Sequence, residues 1–392
     1  MDNLAKIYLD YAATTPVDPR VLEAMLPYFS QVFGNPSSVH TFGQQAEAAL
    51  EDGRESVART LHCQPGEIIF TSCGSESDNL ALRGIAMAGR EQRNANHILI
   101  TPVEHPAVSK TAEQMRREYG FELEYIPVDG VGQVDPADVA ARLRRDTAIV
   151  SIIYANNEIG TLNPIHEVGE ICRAAGIPLH SDAVQAAAYC PVDVEELKVD
   201  LISIGAHKFY GPKGVGALYV RQGRKLLPTQ TGGSQEQGMR AGTSNIPYIV
   251  GLAKSLQLAQ DERLQRSAHL LPLRDRLLQR VPELIPEARI SGSQRARLPN
   301  HASFTFKGAD GNTLLRLLDA AGFACSSGSA CKTGNPEPSE VLTAIGLARD
   351  WALGSLRVTL GASTTAEQID RFLSVLPENV AKARAMNHVG LY

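Results

Sequence analysis

Short apolar segments of strand length alternate with segments of helical periodicity between residues 67 and 220. Strands joined by helices usually pair in parallel, because the crossover helix returns the chain to the starting edge of the sheet. The sequence therefore predicts an α/β fold in which a mainly parallel seven-stranded sheet carries helices on both faces. The predicted strands are 67–71, 97–101, 122–128, 148–153, 177–181, 201–204 and 216–220.

The pattern changes after residue 243, where fewer and more varied elements follow a long helical run over 248–280. These later elements predict a second, smaller α+β domain. They are a strand at 302–306, helices at 312–321 and 339–346, a strand at 356–360 and a last helix after residue 365. We expect a large domain over residues 16–250 and a small domain formed by residues 1–15 and 251–392.

The chain of 392 residues carries a net charge of −5. Without a basic excess to neutralise phosphates, no nucleic-acid partner is expected. There is no run of about 18 apolar residues and no signal-peptide core at the amino terminus, so no membrane partner is expected either. The six cysteines form no C-x-x-C pairs. We therefore expect no metal site, no disulfide framework and a cytoplasmic protein with free thiols.

A lysine follows an apolar strand in the segment 200–216, DLISIGAHKFYGPKGVG. The predicted strand gives way to small residues and then to His207 and Lys208, so the lysine lies at the carboxyl end of a strand. Ligands bind at that edge of open α/β sheets, and a partly desolvated lysine amine there can form a Schiff base with a carbonyl compound. The alternative is a surface lysine, because short lysine-bearing loops are common.

Two further segments supply groups that a lysine-bound cofactor requires. A predicted strand ends at Asp182, and the next strand would bring Lys208 to the same sheet edge. A carboxylate there keeps the ring nitrogen of pyridoxal phosphate (PLP) protonated, so that the ring withdraws electrons. The small-residue turn at 71–79 precedes a helix, and helix N-termini bind phosphate, so Gly74 and Ser75 are candidates for an anion cradle. A helix-capping aspartate and a turn without a ligand are the alternatives.

Eight motifs then occur along the chain in a fixed order. They are YLDYAATTP (8–16), GNPSS (34–38), FTSCGSESDN (70–79), NNEIG (156–160), HSDAVQ (180–185), HKFYGPKGVGALYVR (207–221), MRAGT (239–243) and SSGSAC (326–331). Together they resemble the cysteine desulfurases of the NifS/IscS type, in the class V branch of the fold-type-I PLP enzymes. The resemblance runs from Tyr8 to about Gly361, which is nearly the whole chain.

The resemblance implies how PLP would be held. Lys208 would anchor the cofactor covalently, Asp182 would pair with the ring nitrogen, and Gln185 would donate a hydrogen bond to the ring hydroxyl. The positions that match phosphate ligands are Gly74, Ser75 and His207.

The resemblance also implies contacts with the substrate and with a second subunit. Thr243 matches a residue that reaches the phosphate from the neighbouring subunit, which implies a homodimer with shared active sites. The positions that match ligands of the substrate carboxylate or of the cofactor face are Asn35, Asn156 and Arg357. A guanidinium fits a carboxylate through two hydrogen bonds, and an inter-domain salt bridge is the alternative for Arg357.

One position departs from the family pattern. Gly205 lies three residues before the lysine, where similar sequences usually place a phosphate-binding serine. One hydroxyl donor is therefore missing, and we expect a water molecule or Ser203 to substitute for it. This departure bears on cofactor affinity and leaves the predicted fold unchanged.

A catalytic histidine and a catalytic cysteine follow from the same resemblance. His105 would stack on the cofactor ring and shuttle protons, with a core or capping histidine as the alternative. The Gly-, Ser- and Pro-rich segment 324–338 predicts a mobile loop. The resemblance identifies Cys331 in this loop as the nucleophile that forms a persulfide, and the charge of Lys332 would favour its thiolate. Cys325 is expected to be a buried thiol, with sulfur relay as the alternative.

The activity implied is that of a PLP-dependent cysteine desulfurase. Such an enzyme converts L-cysteine into L-alanine and passes the sulfur from Cys331 to an acceptor, such as an iron–sulfur scaffold protein, or into thiolated cofactors. The enzymatic alternatives are a carbon–sulfur lyase acting on cysteine or cystine, which forms pyruvate and ammonia, and a selenocysteine lyase. A scaffold protein that has lost catalysis is the alternative from another class.

Overall fold

The computed structural model describes residues 6–327 and 337–389. Within these residues, twelve strands form three sheets. The strands are β1 (Ile7–Tyr8), β2 (Ile68–Thr71), β3 (His97–Ile100), β4 (Glu122–Tyr125), β5 (Thr147–Ser151), β6 (Leu179–Asp182), β7 (Leu201–Gly205), β8 (Gly216–Val220), β9 (Ala288–Ile290), β10 (His301–Phe306), β11 (Phe323–Ala324) and β12 (Ser355–Thr359). Strands β2 to β8 form the large sheet, so the predicted seven-stranded α/β fold is confirmed.

The large sheet is mainly parallel. Its strand order is β2-β8-β7-β6-β5-β3-β4, and β8 alone runs antiparallel to its neighbours. Every residue of β5, β6 and β7 is buried, as expected for strands covered on both faces. The register pairs Asp182 of β6 with Ser203 of β7, so the carboxyl ends of these two strands lie side by side.

The helices cover the large sheet and form most of the carboxyl-terminal part. Two of them begin at aspartate N-caps. The Asp18 and Asp135 side chains accept hydrogen bonds from backbone amides in the first turns of α1 and α6. The helices are α1 (Pro19–Met25), α2 (Pro27–Ser30), α3 (Thr41–Leu61), α4 (Gly74–Arg93), α5 (Pro106–Tyr119), α6 (Pro136–Arg142), α7 (Ile165–Ala175), α8 (Ile246–Asp261), α9 (Arg263–Leu284), α10 (Gly311–Ala320), α11 (Glu340–Ala344), α12 (Arg349–Ala352) and α13 (Ala366–Val389).

The helical run predicted over 248–280 is two helices, α8 and α9. They are separated at Glu262, whose backbone leaves the helical region with φ −94° and ψ 3°. Arg20 and Arg266 both donate hydrogen bonds to the Glu262 carboxylate, and these contacts stabilise the junction between α8 and α9.

The carboxyl-terminal part has an antiparallel sheet of its own, with the strand order β12-β10-β9. Strand β1 pairs in parallel with β11, so the start of the chain packs against this later part. The proposed division into residues 16–250 and residues 1–15 with 251–392 stays a prediction. Among the described helices, none has both the length and the apolar character that crossing a bilayer requires.

Candidate active site

A cavity of about 300 Å³ opens where the carboxyl ends of β6 and β7 meet the amino end of α4. This is the edge of an α/β sheet where ligands usually bind. The cavity brings together eight of the residues predicted from the sequence, which are Gly74, Ser75, His105, Asp182, Gln185, His207, Lys208 and Arg357.

Lys208 ends a short 3-10 turn that follows β7. Its Nζ donates to the carbonyl oxygens of Ala12 and Ala13 over 2.7 Å and 2.8 Å, and the Gln185 Nε2 donates to the same Ala12 oxygen over 2.8 Å. Burial, aided by the charge of Arg357, lowers the pKa of the lysine amine to about 8. A larger fraction of this amine is therefore neutral near pH 7 than in an exposed lysine, as a nucleophilic lysine requires.

Asp182 ends β6 and is 4% exposed. The Val184 amide donates to its Oδ1 over 2.9 Å. Burial raises the pKa of this carboxyl, and the nearby His105 and Lys208 oppose that shift. A buried carboxylate with a raised pKa is well suited to share a proton with the nitrogen of an aromatic ring.

The amino end of α4 forms an anion cradle. Within the described ranges no side chain caps this helix, since Cys73 at the cap position makes no side-chain hydrogen bond to it. A Cβ atom on Gly74 would lie 2.5 Å from Val184 Cγ2, so glycine is required for the close packing of the helix end. Uncapped amides and the helix dipole together favour a phosphate at Gly74 and Ser75.

His207 contributes an uncharged imidazole to the same cavity. Its Nδ1 lies 3.1 Å from the Thr14 hydroxyl. Burial and the neighbouring Lys208 lower the pKa of the imidazole to about 4. The ring is therefore neutral at physiological pH and can offer one N–H donor.

The cradle lacks a hydroxyl at Gly205. A Cβ atom there would lie 3.4 Å from the Gly74 amide nitrogen, so a serine at this position would fit and would point at the cradle. Ser203 shares this face of β7 but lies two residues earlier, about 6 to 7 Å deeper. It is fully buried, its Oγ lies 2.9 Å from His180 Nε2, and it is not part of the cavity wall. The depth of Ser203 favours a water molecule as the substitute, and the expected role of Ser203 stays a prediction.

His105 caps α5, as the alternative expected, and it also lines the cavity, so its catalytic role stays a prediction. Its Nδ1 accepts a hydrogen bond from the Ala107 amide over 3.1 Å. An Nδ1 that accepts carries no proton, so the neutral ring keeps its proton on Nε2. The cap therefore selects the tautomer that can deliver a proton from Nε2.

Arg357 lies in the middle of β12 and reaches the cavity wall. Its Nη2 donates to Asp10 over 2.9 Å and its Nη1 to the Asn157 carbonyl oxygen over 2.9 Å. The Nε is buried and has no hydrogen-bond partner within the described part of the chain. The salt bridge to Asp10 joins two residues of the same predicted small domain, so it is not the inter-domain pair that the alternative required, and Arg357 also lines the cavity. Backbone hydrogen bonds with Ser326 place the start of the Cys331 segment beside Arg357.

Of the two neighbouring asparagines Asn156 and Asn157, it is Asn157 that lines the cavity. The Asn156 Oδ1 accepts from the amides of Glu158 and Ile159 over 2.8 Å and 2.9 Å, and its Nδ2 donates to the Val103 carbonyl oxygen over 2.8 Å. This side chain is fully buried and binds the backbone of its own turn. The assignment of Asn156 as a ligand stays a prediction, and the residue of this turn that lines the cavity is Asn157.

Asn35 and Thr243 lie outside this cavity. Asn35 is exposed in a turn, where its Oδ1 accepts from the Ser37 amide. Thr243 lines a separate cleft of about 200 Å³ together with Glu236 and Arg240. Their assigned contacts with substrate and cofactor stay predictions, and the contact assigned to Thr243 requires a second subunit.

The predicted nucleophile Cys331 and its neighbour Lys332 lie outside the described residues. Cys325, which precedes them, is a free cysteine. Burial, and secondarily Asp10, raise the pKa of its thiol far above the ordinary value. Cys325 therefore stays protonated at physiological pH and is a poor nucleophile.

The sequence interpretation missed two buried acids at this site, Asp78 and Glu104. Asp78 lies in the first turns of α4, is 1% exposed and lines the cavity. Glu104 accepts from the Thr101 hydroxyl over 2.6 Å, and burial raises its pKa to about 8. A usable signal exists for Asp78, because it lies four residues after Gly74 and so shares the helix face of the cradle.

The groups around the cavity fit PLP. An uncapped helix end suits the phosphate, a buried aspartate suits the ring nitrogen, and an amide side chain suits the ring hydroxyl. A lysine of lowered pKa suits the aldehyde. These groups belong to Gly74, Ser75, Asp182, Gln185 and Lys208.

Comparisons with known proteins agree with this set of groups. Residues 7–372 match the family described as Aminotransferase class-V. The chain is 45% identical over 384 residues to a cysteine desulfurase IscS of Clostridium botulinum, a match that covers 97% of this chain and 96% of that protein. A solved NifS-like protein superimposes with a TM-score of 0.89 at 37% identity, covering 96% of this chain and 100% of the other. A solved complex of SspA with cysteine superimposes with a TM-score of 0.77 at 34% identity, covering 92% of this chain and 100% of the other.

Proposed function

Because the chain belongs to the cysteine desulfurase family of class V aminotransferases, we propose that it is a PLP-dependent enzyme that converts L-cysteine into L-alanine and a protein-bound persulfide. One observation carries this proposal: a lysine amine of lowered pKa and a buried aspartate share one cavity at the ends of adjacent strands. The solved complex of a similar protein with cysteine supports the choice of substrate.

Different residues of the cavity would contact different parts of PLP. Gly74, Ser75 and His207 hold the phosphate, Asp182 pairs with the ring nitrogen, and Lys208 holds the aldehyde. When bound, PLP holds the amino group of the substrate and withdraws electrons from its α-carbon, which makes the α-proton acidic.

Lys208, whose amine is released when the substrate amine takes its place, accepts that α-proton. The reaction needs a neutral amine, and the lowered pKa of about 8 provides more of this form near pH 7 than an exposed lysine would. The carbonyl groups of Ala12 and Ala13 orient the amine without fixing its charge, because a carbonyl oxygen accepts from either protonation state.

Arg357 orients the substrate through its carboxylate. Its guanidinium is fixed by Asp10 and by the Asn157 carbonyl, and the side chain lines the cavity. A carboxylate held by a fixed guanidinium leaves the substrate few orientations, so its α-carbon stays within reach of Lys208.

Cys331 takes the sulfur atom, with His105 assisting. The Cys331 thiolate attacks the substrate sulfur, so an S–S bond forms while the C–S bond breaks. The electron pair of the C–S bond stays on the substrate carbon, which is protonated and leaves as L-alanine. His105, whose neutral ring carries its proton on Nε2, moves a proton at the substrate sulfur.

The exposed apolar side chains of the chain support a homodimer. Large apolar side chains are concentrated on an exposed segment that also contains Asn35, and patches of this kind mark protein interfaces. They are Leu22, Leu26, Phe29, Phe33, Val39 and Phe42. In the proposed dimer, Thr243 reaches the phosphate of the neighbouring subunit.

The persulfide passes its sulfur to a second protein, such as an iron–sulfur scaffold, or into thiolated cofactors. The location we propose is the cytoplasm, whose reducing conditions suit the free cysteines found among the described residues.

Product analysis tests the proposed function. The PLP-loaded protein is incubated with L-cysteine and a thiol reductant, and alanine, sulfide and pyruvate are quantified. Equal amounts of alanine and sulfide support the desulfurase. Pyruvate with ammonia in place of alanine would identify a carbon–sulfur lyase instead.

A further inference from the structure

A second buried carboxyl, that of Asp78, lies next to Asp182. Asp78 is 1% exposed and Asp182 is 4% exposed, and both line the cavity. An oxygen of each and a ring nitrogen of His105 all lie within 4.8 Å of one another. Two carboxylates this close in a buried site cannot both ionise without strong repulsion, so one of them keeps a proton.

The surroundings of the two carboxyls are unequal. Asp182 accepts from the Val184 amide and faces the positive charges of Lys208 and, when protonated, His105. These contacts favour its ionised form.

Among the described residues, Asp78 shares His105 with Asp182 but has no counterpart of the Val184 amide or of the Lys208 charge. Its Oδ1 has no hydrogen-bond partner among the described residues, and His180 Nε2 lies 3.6 Å from it. Burial lowers the pKa of His180 to about 3, so this imidazole is neutral. The Ser203 hydroxyl is the remaining donor to Asp78, while Asp182, Glu104 and Cys73 add negative potential.

A chain of buried polar groups holds this arrangement in place. His180 Nδ1 lies 2.8 Å from the Ser151 hydroxyl, and its Nε2 lies 2.9 Å from the Ser203 hydroxyl. Asp78 therefore lies against His180 of β6 and Ser203 of β7, two groups that carry no charge. A network of this kind fixes the geometry of a carboxyl without favouring its ionisation.

We propose that Asp78 is a positioning residue that stays protonated beneath the cavity, so that Asp182 remains ionised opposite the ring nitrogen of PLP. The inference rests on the proposed function, because that function places the ring nitrogen at Asp182. The burial of Asp78 raises its pKa well above the ordinary value, in agreement with a protonated group.

Thermal unfolding of the apoprotein tests this assignment without using turnover. Because the folded-state pKa of Asp78 lies above its unfolded value, the stability associated with this carboxyl is lost as the pH rises. Asn cannot ionise, so the Asp78→Asn apoprotein should melt above the wild type at about pH 8, and the difference should shrink towards about pH 5. The exposed acid Asp52 provides the control, since Asp52→Asn should show no such dependence. A difference independent of pH, or a variant that melts lower at about pH 8, would overturn the proposal.

Infrared spectroscopy provides a second readout that does not depend on how well the variant folds. Wild-type protein with isotopically labelled aspartate carboxyl groups should show the C=O stretch of a protonated aspartate at about pH 8. The label separates this signal from that of Glu104. The band should persist after PLP is added, because the proton belongs to Asp78. Absence of the band, or its loss on adding PLP, would assign the proton elsewhere and reject the proposal. A failed desulfurase assignment would appear separately, as missing alanine from the wild type.

Discussion

The Lys208 amine and the Gln185 amide donate to one oxygen, the carbonyl of Ala12, over 2.7 Å and 2.8 Å. The segment that follows β1 therefore closes the cavity over the lysine. Burial and the charge of Arg357 lower the pKa of the amine to about 8, although Asp182 and Asp10 oppose this shift. This relationship prepares Lys208 to react with an aldehyde.

Removing Lys208 should abolish covalent cofactor binding. Lys208→Ala lacks the amine that holds the aldehyde, so the purified protein with PLP should lose the visible absorbance of lysine-bound cofactor. The spectrum is recorded alongside that of Lys213→Ala, an exposed lysine that should leave it unchanged. An unaltered spectrum for Lys208→Ala would overturn the cofactor assignment.

The rate of cofactor binding should follow the titration of the same amine. Only neutral Lys208 attacks the aldehyde, so association of PLP with the apoprotein should accelerate as the pH rises and level off above about pH 8. Stopped-flow measurements of PLP absorbance across pH provide the test. A profile that still rises steeply at about pH 10, the range of an ordinary lysine, would show that burial does not lower this pKa.

Restoring the missing hydroxyl should strengthen cofactor binding. In Gly205→Ser the new side chain fits at 3.4 Å from the Gly74 amide, and the backbone at φ −139° and ψ 119° accepts any residue. An added hydrogen bond to the phosphate should tighten PLP binding about threefold to tenfold, measured as a dissociation constant. The matched control is Gly205→Ala, which adds the Cβ without the hydroxyl. Equal affinities for the Ser and Ala variants would contradict a phosphate contact at this position.

A buried ion pair should stabilise the loop that carries Thr243. Arg54 donates to both carboxylate oxygens of Glu236 over 2.8 Å and 3.0 Å, and both side chains are more than nine-tenths buried. Arg54→Met leaves the Glu236 charge buried and unpaired, which should cost about 3 to 5 kcal/mol of unfolding free energy.

Chemical denaturation measures this cost. The double variant Arg54→Met/Glu236→Gln should recover part of the loss, because no unpaired charge remains. Lys382→Met, which breaks an exposed pair with Glu378, should leave the midpoint nearly unchanged. If Arg54→Met behaved like this surface control, the ion pair would have no stabilising role.

The two thiols of the 325–331 segment should behave differently. Cys331→Ser should bind PLP and L-cysteine as the wild type does but release no sulfide under reductant, because the nucleophile is missing. Cys325→Ser should retain sulfide release, since burial keeps that thiol protonated. Undiminished sulfide from Cys331→Ser would remove its assigned role.

The sequence predicted the large sheet well because its strands are continuous apolar runs bounded by turns. It missed β9 and the pairing of β1 with β11, since strands of two or three residues have no measurable periodicity. At the helix break, Glu262 accepts from Arg20, which is remote in the sequence, and from Arg266, which lies about one helical turn away. A linear pattern does not show such contacts.

Lys208 and Asp182 could be predicted from the sequence, because each combines a chemically informative residue type with a place at the end of a strand. The choice between Asn156 and Asn157 depends on which side chain binds its own turn, and neighbouring asparagines look alike in a sequence. Asp78 was missed because a charged residue in an early helical turn ordinarily indicates a solvated face, whereas here the strands β5 to β7 bury it.

Mass spectrometry of the protein after a single addition of L-cysteine tests the central claim most directly. The PLP-loaded wild type, treated without reductant and digested, should carry one additional sulfur atom on the peptide that contains Cys331, with one alanine released for each sulfur bound. Unmodified Cys331 accompanied by pyruvate, or sulfur located on another cysteine, would contradict the account.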